Sequence, residues 1–425
     1  MPQTIAEKIL SSHAGKVVKA GERIWADVDL AVARDFGGPN CVLEYEQNFG
    51  DAPVADPGKI AFTFDYQAPA KDTKVANNQQ ICRNFAQKQH IPHLFDVNTG
   101  IGQHILLEQG MVAPSSLIVG TDSHMNLLGA VGSLSLGVGT TDIVATWKGG
   151  RLWFRVPESI QVTLFGKLRP PASAKDIILM LLRETDTETL NYRSLEFVGE
   201  GAEGIDLAGR LTICSMITEA GGKVGFFPTN KAILDWLTPR MKEKPKPISA
   251  DEGVKNEGAE YVREYHFDLS SLEPLVACPH TPDNVKTVKE VAGEKVDSAF
   301  IGSCTNGRIE DLRVAASIID KAGRKLAKGM RLTIVPATME VARQALSEGL
   351  YEIFLDAGVM LTNPGCSLCT IGHHGVLYSD ERLLSTSNRN FLHKLGKGTF
   401  VYLASPATVA ASAVAGVIAD PGQYI

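Results

Sequence analysis

A chain of 425 residues exceeds what one hydrophobic core holds, so two or three domains are expected. Hydrophobic residues make up 44% and the net charge is −6, which describes a globular protein and argues against a broad phosphate-binding surface. No apolar run reaches the roughly 18 residues of a membrane span, and the polar start Met1–Lys8 lacks a signal peptide's apolar core. A cytoplasmic protein that binds neither membrane nor nucleic acid is expected.

From the N-terminus, residues 1–155 alternate strand-like runs, such as Ile60–Phe64 and Leu117–Gly120, with helical patterns. They form a first α/β domain. A second, residues 156–285, opens on the strand-like run Ile160–Leu164. A helix follows at Ala174–Leu182 behind Ser173 as N-cap, and the Pro-, Lys- and Glu-rich stretch from about 240 has the composition of a linker. The third domain, 286–425, gives the clearest alternation. Ser298–Ile301 precedes a helix over Ile309–Lys321, Leu332–Val335 precedes one over Met339–Leu350, and Val359–Leu361 and Phe400–Ala404 follow, the last leading into a helix over Ala407–Ile418. The fold class is therefore α/β, three domains with mostly parallel sheets around a cleft.

In open parallel sheets ligands sit beyond the C-terminal strand ends. The polar residues fall there: Asp65 after Phe64, Asp122-Ser123-His124 after Gly120, Cys304 after Ile301, Cys366 and Cys369 after Leu361, and Ser405 after Ala404.

The seven cysteines are odd in number and scattered, so they are not a disulfide framework. Cys41, Cys82, Cys214 and Cys278 read as free thiols in or near the core. Cys304, Cys366 and Cys369 stand apart. Three thiolates are one short of a closed iron–sulfur or zinc site, and such a site leaves a metal coordination position open for a substrate oxygen. The same residues also fit a zinc site completed by His373 or His374, a thioredoxin-like pair, or no metal at all.

On Asp122-Ser123-His124, the imidazole can pass a proton, the carboxylate can orient it, and the hydroxyl can bind substrate. In Ser387-Asn388-Arg389-Asn390-Phe391 an arginine flanked by two amides suits bidentate carboxylate binding. Gly137–Thr141 is neither GxGxxG nor a Walker sequence, so no nucleotide site is read from it.

Together, Gly302–Arg308, Pro364–Cys369, Gly120–His124, Ser387–Phe391 and Tyr402–Pro406 resemble the signatures of the aconitase-type hydro-lyases, in family order and over nearly the whole chain. The resemblance is greatest to the large subunits of the isopropylmalate isomerase (3-isopropylmalate dehydratase), homoaconitase and dimethylmalate dehydratase group. It implies a [4Fe–4S] cluster on Cys304, Cys366 and Cys369 with one open iron. It implies Asp122, His124, Asp65, Glu196 and Ser123 as catalytic residues, and Arg389, Lys394, Arg308 and Tyr66 around a 2-hydroxy di- or tricarboxylic acid that is dehydrated and rehydrated. It also implies a separate small subunit that supplies a swivelling domain.

Four positions depart from the family pattern. Arg34-Asp35-Phe36 stands for His-Asp-Gly, Tyr66 for a histidine thought to protonate the leaving hydroxyl, Gln103 for another histidine, and Lys394 for an arginine. All four lie around the substrate rather than at the cluster ligands, and they point to an unusual substrate, another substituted malate or a homoaconitate-like acid, or to altered protonation chemistry. A non-catalytic cluster-binding sensor is a further reading. An RNA-binding apo form is opposed by the acidic balance.

Overall fold

The computed structural model describes residues 2–185, 187–252, 258–369 and 375–425. Its first sheet is built from β1 (Leu30–Arg34), β2 (Ile60–Thr63), β3 (His93–Phe95), β4 (Leu117–Gly120) and β5 (Leu134–Gly137), in the order β3-β2-β1-β4-β5 and parallel throughout. β1, β2 and β4 are buried along their whole length, as expected of strands covered by helices on both faces.

The second sheet contains β6 (Ser159–Phe165), β7 (Ser194–Val198), β8 (Val224–Phe226) and β9 (Arg263–Asp268), ordered β8-β7-β6-β9 and again parallel. The helix Ala174–Glu184 begins where expected. The Asp176 carboxylate accepts from the Ser173 backbone N–H at 2.7 Å and from its hydroxyl at 2.9 Å.

The third sheet is mixed: β10 (Leu275–Ala277), β11 (Val285–Thr287), β12 (Ser298–Ile301), β13 (Arg331–Ile334), β14 (Met360–Leu361), β15 (Arg382–Ser385) and β16 (Phe400–Ala404). The order is β11-β10-β16-β15-β12-β13-β14, with only β10 antiparallel to its two neighbours.

Three expectations are corrected. The stretch read as a linker carries β9, β10 and β11. β9 is an edge strand with no buried residue, so its sequence lacks the apolar signal of an inner strand. The helix expected over Met339–Leu350 stops at Ser347, and a second runs from Leu350 to Asp356, because Gly349 takes a left-handed φ of 75°. Ser405 caps the helix Pro406–Ala415, its hydroxyl accepting from Thr408 N–H at 3.2 Å, rather than facing the strand-end cleft.

A fourth, two-stranded sheet pairs Arg23–Asp27 with Arg151–Arg155, and one apolar cluster runs through the three larger sheets, from Leu30 and Ile118 through Ile160, Phe197 and Leu211 to Phe300 and Leu403. It links these sheets, with two further apolar clusters packed on the first and third of them, and the loops after β1, β2, β4, β12, β14 and β15 come together. Cys41, Cys82, Cys214 and Cys278 are buried free thiols, as expected. Among the described residues no helix is long and apolar enough to cross a membrane.

Candidate active site

The three singled-out cysteines meet at these loop ends. Cys304 and Cys366 are buried and Cys369 is nearly so. The Asn388 amide lies between two of them. Its Nδ2 donates to Cys304 Sγ at 3.3 Å, and its Oδ1 lies 3.8 Å from Cys369 Sγ. Ser215 Oγ is 3.6 Å from Cys304 Sγ on the other side. The backbone is held in unusual shapes here: Ser303, before Cys304, has φ 73°, and Ser367, after Cys366, has φ 50°. Cys366 N–H donates to the Asp65 carbonyl at 2.8 Å, tying the cysteine loop to the end of β2. 

Their acidities diverge. A hydrogen bond from Cys366 lowers the Cys369 pKa, and the same contact together with burial raises that of Cys366. Burial raises Cys304 as well. The Cys366 contact thus favours the thiolate at Cys369, the form that ligates metal. Cys304 and Cys369 both contact the Asn388 amide. Among the described residues no three His, Cys, Asp or Glu side chains form a single-ion site. His373 and His374, the alternative zinc ligands, lie outside the described residues.

Beside the thiols stands a network around His124. Nε2 is 2.9 Å from Glu219 Oε1, Nδ1 is 3.5 Å from Asp122 Oδ1, and the His124 backbone N–H donates to that same oxygen at 2.8 Å. Burial disfavours the imidazolium, but the two carboxylates outweigh it and bring the His124 pKa up to about 9. Arg389 Nε donates to Glu219 Oε1 at 2.7 Å and Nη2 to Ser123 Oγ at 3.0 Å. Its side chain stays 34% exposed, so an edge of the guanidinium remains open to a ligand.

Arg34 occupies the floor on the other side. It contacts Asp122 Oδ2 at 2.5 Å and Asp65 Oδ1 at 2.7 Å, and Tyr66 covers it with its ring centroid 4.9 Å away. Asp65 also accepts from Gly102 N–H at 2.8 Å. A Cβ at Gly102 would fall 2.6 Å from Thr63 Oγ1, so glycine permits this approach. Burial raises Asp65 to about 6 despite Arg34, whereas Arg34 and His124 overcome burial at Asp122 and hold it well below the carboxylate range. Asp35 accepts from the backbone N–H groups of Tyr66 and Gln67 at 2.9 and 3.1 Å and so fixes the loop.

Gln103 lines the small cavity between Arg34, Asp65 and Asp122, and its buried Nε2 lacks a hydrogen-bond partner. His104 turns away. Nε2 is 3.0 Å from the Cys304 carbonyl and Nδ1 is 3.3 Å from Arg308, and burial together with that arginine lowers its pKa to about 3.

The expected set is therefore only partly assembled. Asp122, Ser123, His124, Asp65, Arg389, Tyr66 and the cysteines come together. Glu196 does not: its carboxylate accepts from Ile5 N–H at 2.6 Å and Tyr261 Oη–H at 2.8 Å, anchoring the N-terminal helix. Glu219 holds the carboxylate position at His124 instead. Arg308 packs against His104 and Trp236, which its short distance from Cys304 in the sequence does not reveal. Lys394 is buried, with its ammonium on Ser387 Oγ at 3.1 Å and the Arg389 carbonyl at 2.5 Å, so it supports the arginine loop from behind. Glu219, Asn388 and Ser215 were not singled out. Glu219 follows the buried helix Leu207–Ser215 with no periodic or motif signal around it.

A family model described as the aconitase family (aconitate hydratase) matches residues 7–416. The chain belongs to the aconitase family. It is 41% identical over 426 residues to the 3-isopropylmalate dehydratase large subunit 1 of Methanopyrus kandleri, covering 100% of both chains. It is 43% identical to the large subunit of that name from Aquifex aeolicus, over 100% of this chain and 98% of that one. Among solved structures, aconitase X of Thermococcus kodakaraensis in its holo-form has a TM-score of 0.51 and 12% identity, covering 91% of this chain and 88% of that one. That is a likeness of fold. The aconitase-family membership agrees with the α/β sheets and strand-end site described above.

Proposed function

We propose that this chain is the large subunit of an iron–sulfur hydro-lyase that dehydrates and rehydrates a 2-hydroxy di- or tricarboxylic acid, like 3-isopropylmalate dehydratase, and works with a small subunit in the cytoplasm. The observation that carries the proposal is the joining of three convergent thiols to the Asp122–His124–Glu219–Arg389 network in one cleft. The relatives' names, all large subunits of a dehydratase, support both the reaction class and the partner.

Cys304, Cys366 and Cys369 would hold a [4Fe–4S] cluster, which when bound supplies a Lewis acid for the leaving hydroxyl. The chain's own residues do the rest. Arg389, aligned by Glu219 and Ser123, binds a substrate carboxylate. His124, kept protonated at neutral pH by Asp122 and Glu219, donates a proton toward the departing oxygen. Removal of the carbon-bound proton falls to the small subunit. Arg34, Tyr66 and Gln103 line the cleft where the family pattern has other residues, so another substituted malate or a homoaconitate-like acid stands as the second reading beside a 3-isopropylmalate-like substrate.

The test is anaerobic reconstitution with iron and sulfide, addition of the small subunit, and alkene absorbance across a panel of 2-hydroxy acids. A brown protein that forms alkene from at least one substituted malate is expected. A colourless protein, or a cluster-bearing complex that dehydrates none of them, would overturn the proposal.

A further inference from the structure

Two fully buried lysines lie behind the cysteine site. Lys175, on the helix Ala174–Glu184, donates through Nζ to the Thr386 and Ser387 carbonyls, both at 2.8 Å. Lys394 donates to Ser387 Oγ and the Arg389 carbonyl. Both grip the one segment that carries Asn388 between Cys304 and Cys369. Neither ammonium has a carboxylate within ion-pair distance among the described residues. The carboxylates that act on them from further off are occupied: for Lys175, Asp176 accepts from Leu275 N–H and Ser173, and Asp311 from Asn306 and Arg308; for Lys394, Glu219 pairs with His124 and Arg389. An ammonium removed from water without a counter-charge is costly, and burial lowers the pKa of both lysines, that of Lys175 to about 7, so an anion beside this loop is what would keep them charged.

We propose that Lys175 and Lys394 are the buried counter-charges of the metal–thiolate centre, positioned to favour its binding and its reduced state. The inference rests on the cluster reading above. Burial is the largest influence on each lysine and disfavours its charge; first among the groups that favour the charge is a cysteine sulfur, Cys304 for Lys175 and Cys369 for Lys394. A [4Fe–4S]²⁺ core on three thiolates carries a net negative charge, and one-electron reduction adds another. Fixed positive charge behind the site stabilises both, because net charge and the surrounding field are among the determinants of cluster potential. The carbonyl and hydroxyl partners hold the ammonium groups in place without neutralising them.

The experiment uses the reconstituted chain, with Lys175→Gln and Lys394→Gln as charge-removing variants that keep a hydrogen-bond donor and Lys175→Arg as the charge-keeping control. The readouts are the cluster's midpoint potential, the rate of iron loss to a chelator, and the melting temperature with and without iron. Each glutamine variant should shift the midpoint negative, lose iron about 10- to 100-fold faster, and lose more melting temperature loaded than apo. Lys175→Arg should restore the midpoint. Unchanged potential with equal melting losses in both states would show that the lysines only support the loop, and would overturn this inference alone. Wild-type protein that takes up no cluster would overturn the cluster reading together with it.

Discussion

Arg34 places a guanidinium nitrogen 2.5 Å from Asp122 Oδ2 while a second lies 2.7 Å from Asp65 Oδ1. One cation thus holds two buried carboxylates apart. Substituting Arg34→Met leaves Asp65 without its counter-charge and Asp122 with His124 alone, and the loss is about 3–5 kcal/mol at pH 8 by analogy with broken buried ion pairs. Without Arg34 both carboxyls take up protons more readily: Asp65, already raised by burial, rises further, and Asp122 loses the largest of the influences that lower it. Stability is then retained at low pH and lost as pH rises. Denaturant titration should therefore show a smaller deficit at pH 5 than at pH 8. An equal deficit at both would show that the arginine acts through packing alone.

Glu219 sets the protonation of His124. The His124 pKa is raised from its ordinary value of 6.5 to about 9, so its contribution to stability is complete below 6.5 and lost as pH rises through 9. Glu219 is depressed, so its own contribution is present above its ordinary value and lost as pH falls below it. Glu219→Gln removes one of the two carboxylates on the imidazole. Turnover by the reconstituted two-subunit complex at pH 8 should fall about 10²–10⁴-fold, and the alkaline limb of its pH–rate profile should move to lower pH. Melting temperature between pH 6.5 and 9 should vary less than in the wild type. A profile with an unmoved alkaline limb would remove His124 from the proton-donating role.

The strand–helix alternation of the last 135 residues was legible because inner parallel strands are continuous apolar runs with polar residues at their ends, and Cys304, Asp65 and Asp122 mark those ends. β9 was not, because an exposed edge strand has no apolar run to detect. The site was legible wherever chemistry concentrates in a short motif, as in Asp122–His124 and Cys366–Cys369. Glu219 reaches His124 from 95 residues away in the sequence, and only the packing of the helix Leu207–Ser215 against the loop after β4 brings the two together. Glu196 offered a carboxylate in a more conspicuous strand setting, and its partner Ile5 at the far N-terminus was equally invisible. Gln103 and His104 show the same limit at one residue's resolution. Helical rotation turns the first toward Asp122 and the second toward Cys304 O, and the letters alone give no direction.

Asn388 bridges two cysteine sulfurs with one amide, donating to Cys304 Sγ and facing Cys369 Sγ. Asn388→Asp puts a negative charge where a donor to sulfur stood. Iron and sulfide per chain after anaerobic reconstitution should fall to a small fraction of the wild type, while the apo protein keeps its fold by circular dichroism. Asn388→Ala, which removes the donor without adding charge, should retain more cluster than the aspartate variant. Cys304→Ser should abolish both the visible absorbance and turnover. Full iron content in the aspartate variant would place the cluster elsewhere.

Phe36 and Tyr66 form an aromatic pair at the mouth of the cleft, with ring centroids 4.6 Å apart and Phe36 still 62% exposed. Tyr66 also covers the Arg34 guanidinium, a contact typically worth about 0.5–2 kcal/mol when partly desolvated. An exposed ring fixed beside the substrate cleft offers surface to an apolar substituent, and covering it yields about 1.5–3 kcal/mol for a whole aromatic side chain. Phe36→Ser should therefore raise KM for a branched-chain malate about tenfold while changing kcat little, since the ring stands outside the Asp122–His124–Glu219 network. KM for an acid without an apolar branch should stay within about twofold. Tyr66→Ala should add a stability loss of about 1 kcal/mol by uncovering Arg34, detectable in denaturant titration without substrate. Equal KM changes for branched and unbranched acids would show that the pair shapes the cleft without reading the substituent.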